Sequence, residues 1–318
     1  MSRSHLRNEL LKRYGFPESI RCELLLQGVN DTYLVINGTK KYVFRLYRFA
    51  RKSFDSVLEE VALVSHLQKR TNLVAALIED LQQNIIQSFE TPEGERFGLL
   101  MECAANTELE NHCIISNECT SYGESVGKLH RHFETFEYNK KRTLIDFDHL
   151  VAQPLELVKH QFPKMNLSVL LNIAQSLING LSQHSGNLIK SYIHGDLTGG
   201  NACLSEEKEY IFFDFDCCGY GWRAYDLAVF YWSTHTCGKP ALWENFLKGY
   251  SSHISLNDTE LQAIPLLAML RQVWIIGYSI QQIERKGAFF YKPKDLQGDI
   301  EYLISLSEST QLPPSSKK

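Results

Sequence analysis

An aspartate and an asparagine five residues apart, Asp196 and Asn201, lie in the glycine-bearing stretch His194-Gly195-Asp196-Leu197-Thr198-Gly199-Gly200-Asn201, directly after the strand-forming run Ser191 to Ile193. A carboxylate in such a loop can hold or deprotonate an attacking hydroxyl, and a nearby oxygen ligand can help fix Mg²⁺ on phosphates; together they suit phosphoryl transfer. A second acidic stretch, Phe212-Phe213-Asp214-Phe215-Asp216, ends another strand-forming run, Tyr210 to Phe213. If that strand pairs with the one following Asn201, Asp214 returns beside the first loop. Mg²⁺ favours one or two carboxylates plus phosphate oxygens and water, a share that Asp214 and Asn201 can supply. Asp216 can be a second metal contact, a substrate-facing acid or a hydrogen-bonded loop residue.

These residues need elements to carry them. Alternation predicts strands at Cys22 to Gln27, Thr32 to Ile36 and Lys41 to Tyr47, the last two joined by the turn signal Asn37-Gly38. From Phe54 to Leu67 the period changes to that of a helix, with Val57, Val61, Val64 and Leu67 on one face. Strands near Asn84 to Phe89 and Arg96 to Cys103 complete a five-stranded antiparallel sheet with one helix. Beyond about Ala104 the pattern is mainly helical, with amphipathic runs near Ser116 to Phe133, Leu167 to Ser182, Tyr225 to Thr234 and Leu256 to Ile283. The terminal Leu-Pro-Pro-Ser-Ser-Lys-Lys is expected to fray.

With these motifs in order, the chain resembles the aminoglycoside phosphotransferase and choline kinase group, whose fold is similar to that of protein kinases. The resemblance spans nearly the whole chain. The group's HGD-x-x-x-x-N loop falls on His194 to Asn201, and its I-D-[FW]-[DE] strand end on Phe213 to Asp216, with Phe213 in the isoleucine place. The resemblance implies an α+β, bilobal, protein-kinase-like fold: a nucleotide-binding lobe over 1–104 and a helical catalytic and substrate-binding lobe over 105–318. By the same resemblance Asp196 is the catalytic base, Asn201 and Asp214 are the metal ligands, and ATP or GTP with Mg²⁺ is the phosphoryl donor. His194 then orients the catalytic loop. Tyr225-Asp226-Leu227-Ala228 matches the group's Asp-Leu-Ala, with Asp226 in a supporting role at a helix start.

In the first lobe the resemblance implies that Gly28 to Thr32 fold over the phosphates, with Gly28 and Asn30 tolerating the backbone geometry of such a loop and Thr32 opening the next strand. Protein kinases use a lysine on the third strand; here Arg45 stands there, as arginine does in choline kinases. Glu60 is its expected partner, because it shares a face with Val57, Val64 and Leu67; Glu59 is the neighbouring candidate acid and Arg48 an alternative cation. The resemblance also implies that adenine is bound through backbone groups where the strand Phe97 to Cys103 ends, which makes Met101, Glu102 and Cys103 candidates for contact with the base. His130 and His132, two apart on a helix, point to different faces and read as packed or capping side chains.

Composition narrows the partners. A net charge of -4 gives no basic footprint for nucleic acid. The N-terminus has no apolar signal region and no run approaches the roughly 18 apolar residues that span a bilayer, so a cytoplasmic location is expected. The eight cysteines contain no Cys-x-x-Cys pair and read as reduced thiols. Residues after 104 hold 19 basic and 24 acidic side chains, a balance that suits a small hydroxyl-bearing acceptor with an amine, such as an aminoglycoside or amino alcohol. A protein Ser/Thr kinase and a silent nucleotide-binding module are the alternatives; the Ala-Pro-Glu ending of a protein-kinase activation segment is not found.

Overall fold

The computed structural model describes residues 2–104, 118–205 and 209–309. They fall into two compact units, each discontinuous in sequence. The first holds residues up to 104, then Arg131–Thr143 and Gly199–Cys217; the second holds 118–130, Leu144–Thr198 and Cys218 onward. The seam expected near Ala104 and the start of the helix expected from Ser116 fall against residues outside those described, as does the terminal Leu-Pro-Pro-Ser-Ser-Lys-Lys.

The first unit opens with α1 (Arg3–Tyr14), capped by the Ser2 hydroxyl and ended by Gly15 in the left-handed region at φ 64°. Strands β1 (Arg21–Gln27), β2 (Asp31–Asn37) and β3 (Lys40–Leu46) precede α2 (Phe54–Gln68), then β4 (Ile86–Thr91) and β5 (Gly94–Glu102). The sheet runs β1-β2-β3-β5-β4, antiparallel throughout. Its core face, Tyr33, Val35, Phe44, Leu46, Phe89 and Leu100, closes on Leu6 and Leu10 of α1. The buried side of α2 includes Val57, Val61, Val64 and Leu67.

The chain then forms α3 (Cys119–Phe133), β6 (Leu144–Ile145), a π-helical turn (Asp148–Ala152), α4 (Gln153–Gln161), α5 (Ser168–His184) and β7 (Lys190–Ile193). It returns to the first unit as the hairpin β8 (Ala202–Leu204) and β9 (Tyr210–Phe212). The second unit finishes with β10 (Gly219–Trp222), α6 (Arg223–Thr236), α7 (Leu242–Ser251), α8 (Asp258–Gln281), α9 (Ile283–Lys286) and α10 (Pro293–Ser309).

Helix α8 is the spine of the second unit, packed by α4, α5, α6 and α10. It starts at a reciprocal capping box between Asn257 and Glu260, and Glu260 also takes a two-pronged bond from buried Arg223 at 2.8 and 2.9 Å. By length and composition this helix could cross a bilayer, which corrects the expectation that no run comes near to doing so. In the fold 67% of that apolar window is buried, so it serves as a core helix. Where α3 crosses α7, Gly123 and Gly249 bring the backbones together: a Cβ on Gly249 would lie 1.9 Å from the Thr120 carbonyl oxygen.

Candidate active site

In the first unit Arg45, only 4% exposed, sits on β3 opposite Thr32 of β2. One terminal nitrogen of its guanidinium donates to Asp214 Oδ1 at 2.6 Å; the other reaches the Tyr47 hydroxyl at 2.9 Å and Glu60 Oε1. The Tyr47 ring lies against the guanidinium, its centroid 4.9 Å from Cζ. Lys52 donates to the second oxygen of Glu60 at 2.8 Å. Burial raises the Glu60 pKa, but Arg45 and Lys52 outweigh it and hold the carboxyl below its ordinary value. Glu60 is therefore the partner of Arg45. Glu59 is buried as well, and accepts from the Thr143 amide and hydroxyl.

Pairing of β8 with β9 is as the sequence suggested. The ladder runs from Ala202 opposite Phe212 to Leu204 opposite Tyr210, and the Phe213 amide donates to the Asn201 carbonyl at 3.0 Å. Asn201 ends a 3₁₀ turn before β8, and Asp214 follows β9, so the open end of one hairpin carries both. Asp214 adopts φ 63°, a left-handed conformation that an aspartate tolerates better than most side chains. Its side chain is 45% exposed.

Asp216 accepts from Asn30 Nδ2 at 2.9 Å and from Arg51 Nη2 at 3.1 Å. Burial raises its pKa, yet Arg51, Lys52 and Arg45 outweigh that and keep it well below the carboxylate range. Asn30 thus acts through its side chain. Neither Gly28 nor Asn30 has a left-handed backbone, which corrects the expected reason for those residue types. The turn is closed instead by a bond from the Gly28 amide to the Asn30 carbonyl at 3.0 Å. Met101 pairs with Val43 in the sheet and is nearly buried, and the Cys103 amide donates to Lys41 at 3.2 Å.

In the second unit β7 delivers His194, Gly195 and Asp196. Asp226, fully buried in the first turn of α6, accepts from the His194 and Gly195 amides, both at 2.7 Å, and from His130 Nε2 at 3.2 Å. It therefore caps the loop as well as starting a helix. His130 also pairs with the Tyr250 hydroxyl at 3.0 Å, a packed histidine as expected. His194, fully buried, accepts the Asp196 amide on Nδ1 at 3.3 Å, and Gly195 takes φ 80°.

Arg271 of α8, which no sequence motif singles out, donates to Asp196 Oδ1 and lies 3.4 Å from the Gly195 carbonyl. Its guanidinium carbon is 4.4 Å from the Trp274 ring centroid and 5.6 Å from that of Trp232. The Trp274 indole donates to His149 Nε2 at 3.1 Å. Burial lowers the His149 pKa; Asp146 and Asp148 oppose it and Arg271 adds to it.

Residues 23–263 match the phosphotransferase enzyme family. A protein of Deinococcus radiodurans with no characterized function is 32% identical over 262 residues, covering 80% of this chain and 75% of that one. Among solved structures, a microcompartment-associated aminopropanol kinase superposes with TM-score 0.79 at 17% identity, covering 97% of this chain and 96% of that one. An amicoumacin kinase, solved in complex with AMP-PNP, Ca²⁺ and Ami, gives 0.77 at 19% identity over 99% and 96%. The α+β, protein-kinase-like fold expected from the motifs is thus the fold found. The chain belongs to the phosphotransferase enzyme family and is a phosphotransferase with an alcohol group as its acceptor.

Proposed function

We propose that the protein transfers the γ-phosphoryl group of ATP or GTP, with Mg²⁺, to the hydroxyl of a small molecule, and that it does so in the cytoplasm. The observation that carries this reading is the buried Arg45, bound at once to Glu60 and to Asp214. A guanidinium fixed in this way on the third strand, beside an exposed carboxylate, suits the phosphates of a nucleotide. Gly28, Asn30 and Thr32 would lie along the triphosphate, and the backbone of Met101 to Cys103 would take the base.

Asn201 and Asp214 suit Mg²⁺: both are oxygen donors, carried by one hairpin end, and Asp214 offers a partly exposed carboxylate. The metal, when bound, would neutralise charge on the triphosphate. Asp196 would accept the proton of the acceptor hydroxyl, on a loop held by Asp226 and His194. The nucleotide analogue and divalent cation of the amicoumacin kinase support the donor and metal classes, and the aminopropanol kinase supports a small hydroxyl-bearing acceptor.

Transfer from γ-labelled ATP or GTP across amino alcohols, aminoglycosides, hydroxy acids, nucleosides and a generic protein tests the reading. Asp196→Asn is expected to lose turnover by about 10²- to 10⁴-fold while keeping nucleotide affinity. Wild-type turnover in that variant would remove Asp196 as base, and labelling of protein alone would replace the small-molecule reading.

A further inference from the structure

The second unit places a cation directly on the proposed base. Arg271 is 3% exposed, bonded to Asp196 Oδ1, and packed against Trp274 and Trp232. Trp232 is in turn fixed by its indole bond to Gln272 at 2.8 Å, and Gln272 by Asp299 at 3.0 Å. The guanidinium is therefore held by a framework from α6, α8 and α10. Two indole rings that could have received an ammonium already hold the protein's own cation.

Three acids of this unit accept hydrogen bonds from the protein's own groups, which orient them without removing their charge. Asp226 accepts the two loop amides and His130; Asp299 accepts Tyr291 and Gln272; Asp146 accepts the amides of Asp148 and His149. Donors are better represented. With His149 Nε2 accepting from Trp274, the neutral ring carries its proton on Nδ1. The Arg271 nitrogen near Gly195 makes a 3.4 Å contact, at the long end of hydrogen bonding, and this is the edge of the guanidinium that a carboxylate would have to meet.

We propose that Arg271 is a positioning and specificity-determining residue: it fixes the Asp196 carboxylate and, by cancelling its charge, selects acceptors whose hydroxyl is flanked by a carboxylate over those with only an amine. This rests on the phosphotransferase reading with Asp196 as base. An ammonium near an Asp-Arg pair gains little net attraction; a carboxylate meets the same cancelled charge, and its gain comes from directional bonds to the planar guanidinium fork.

The test uses acceptors of one carbon skeleton: an amino alcohol, the corresponding hydroxy acid and the corresponding hydroxy amino acid. Each is measured with MgATP on wild type, Arg271→Lys and Arg271→Met, with thermal unfolding and ATP affinity recorded for every variant. Wild type should favour the carboxylate-bearing members in kcat/KM by about tenfold or more, the scale of one charge-assisted hydrogen bond. Arg271→Met should cut kcat by about 10²-fold, leave ATP affinity unchanged and remove the preference. Arg271→Lys, which keeps the charge and lacks the fork, should restore the preference with only part of kcat. Preference for the amino alcohol in wild type, or the same preference in Arg271→Met, overturns the proposal and leaves the kinase reading intact. Bound ATP with no transfer to any member of this set or of the wider acceptor panel overturns both.

Discussion

Arg45 and Asp214, which lie on opposite sides of most of the sequence, are joined by a 2.6 Å bond, while the rest of the same guanidinium is engaged by Tyr47 and Glu60. The cation is buried and the Asp214 carboxylate is partly exposed, so Arg45 ties the side chain at the hairpin end to the α2 side. Arg45→Met should cost about 3 kcal/mol, since it leaves Glu60 buried with only Lys52 to balance it. Arg45→Lys should cost less, yet weaken nucleotide binding about tenfold, because a single ammonium nitrogen replaces the two terminal nitrogens that reach Asp214 and Glu60 separately. Urea unfolding and nucleotide titration check the two effects; equal stability of Arg45→Met and wild type would remove the structural part.

Glu60 gives this pair a pH signature. Its pKa is depressed in the fold, so its contribution is fully present above the unfolded value of about 4.3 and is lost as pH falls through its lower folded value. Glu60→Gln should therefore be less stable than wild type at neutral pH by about 2 kcal/mol, with the gap narrowing below about pH 4. Chemical unfolding at a series of pH values measures it. A gap that stayed constant into acid would mean that the carboxylate charge is not what stabilises the pair.

Asp226 holds three donors without touching the reacting groups assigned to Asp196. Asp226→Asn keeps the shape but presents an amide where only acceptors fit, and should cost about 2 kcal/mol. Turnover should fall by about 10²-fold as the His194 to Asp196 backbone loosens, with nucleotide affinity unchanged. Calorimetric titration of nucleotide beside steady-state kinetics distinguishes this from general damage.

The sheet, the α2 face and the β8–β9 pairing were legible because each depends on local periodicity. Glu60 could be preferred over Glu59 for the same reason, although both proved buried, with Glu59 spent on Thr143. Of the small sheet β6-β10-β7 only β7 was legible, as the run Ser191 to Ile193: β10 reads Gly219-Tyr220-Gly221-Trp222, and two glycines suppress any strand signal. Arg271 was missed although a signal existed. It is the sole charged residue between Ala263 and Ile280, and a charge in the most apolar helix demands a partner. Which partner it finds depends on a crossing with the loop after β7 that no spacing encodes.

Two glycines in helices separate close packing from propensity. Gly249→Ala would drive a Cβ to 1.9 Å from the Thr120 carbonyl and should destabilise by about 2 kcal/mol or more as α3 and α7 move apart. Gly298→Ala in α10 meets nothing within 4 Å and should stabilise by about 0.5–1 kcal/mol through helix propensity. Thermal unfolding of the two variants should move in opposite directions.

The β8–β9 hairpin is also bonded to the segment after α2: Phe212 donates to the Leu73 carbonyl at 2.7 Å and accepts from the Ala75 amide at 3.0 Å. On the ribosome the strands β1 to β5 emerge long before β9 is made. A nascent chain can therefore assemble the large sheet early, but Leu73 and Ala75 wait for their partner until synthesis has passed α3, α4 and α5. Asn201 and Asp214 arrive with that partner, so a translation product truncated before β8 carries Arg45 and Glu60 and lacks the acid that completes their ion-pair chain.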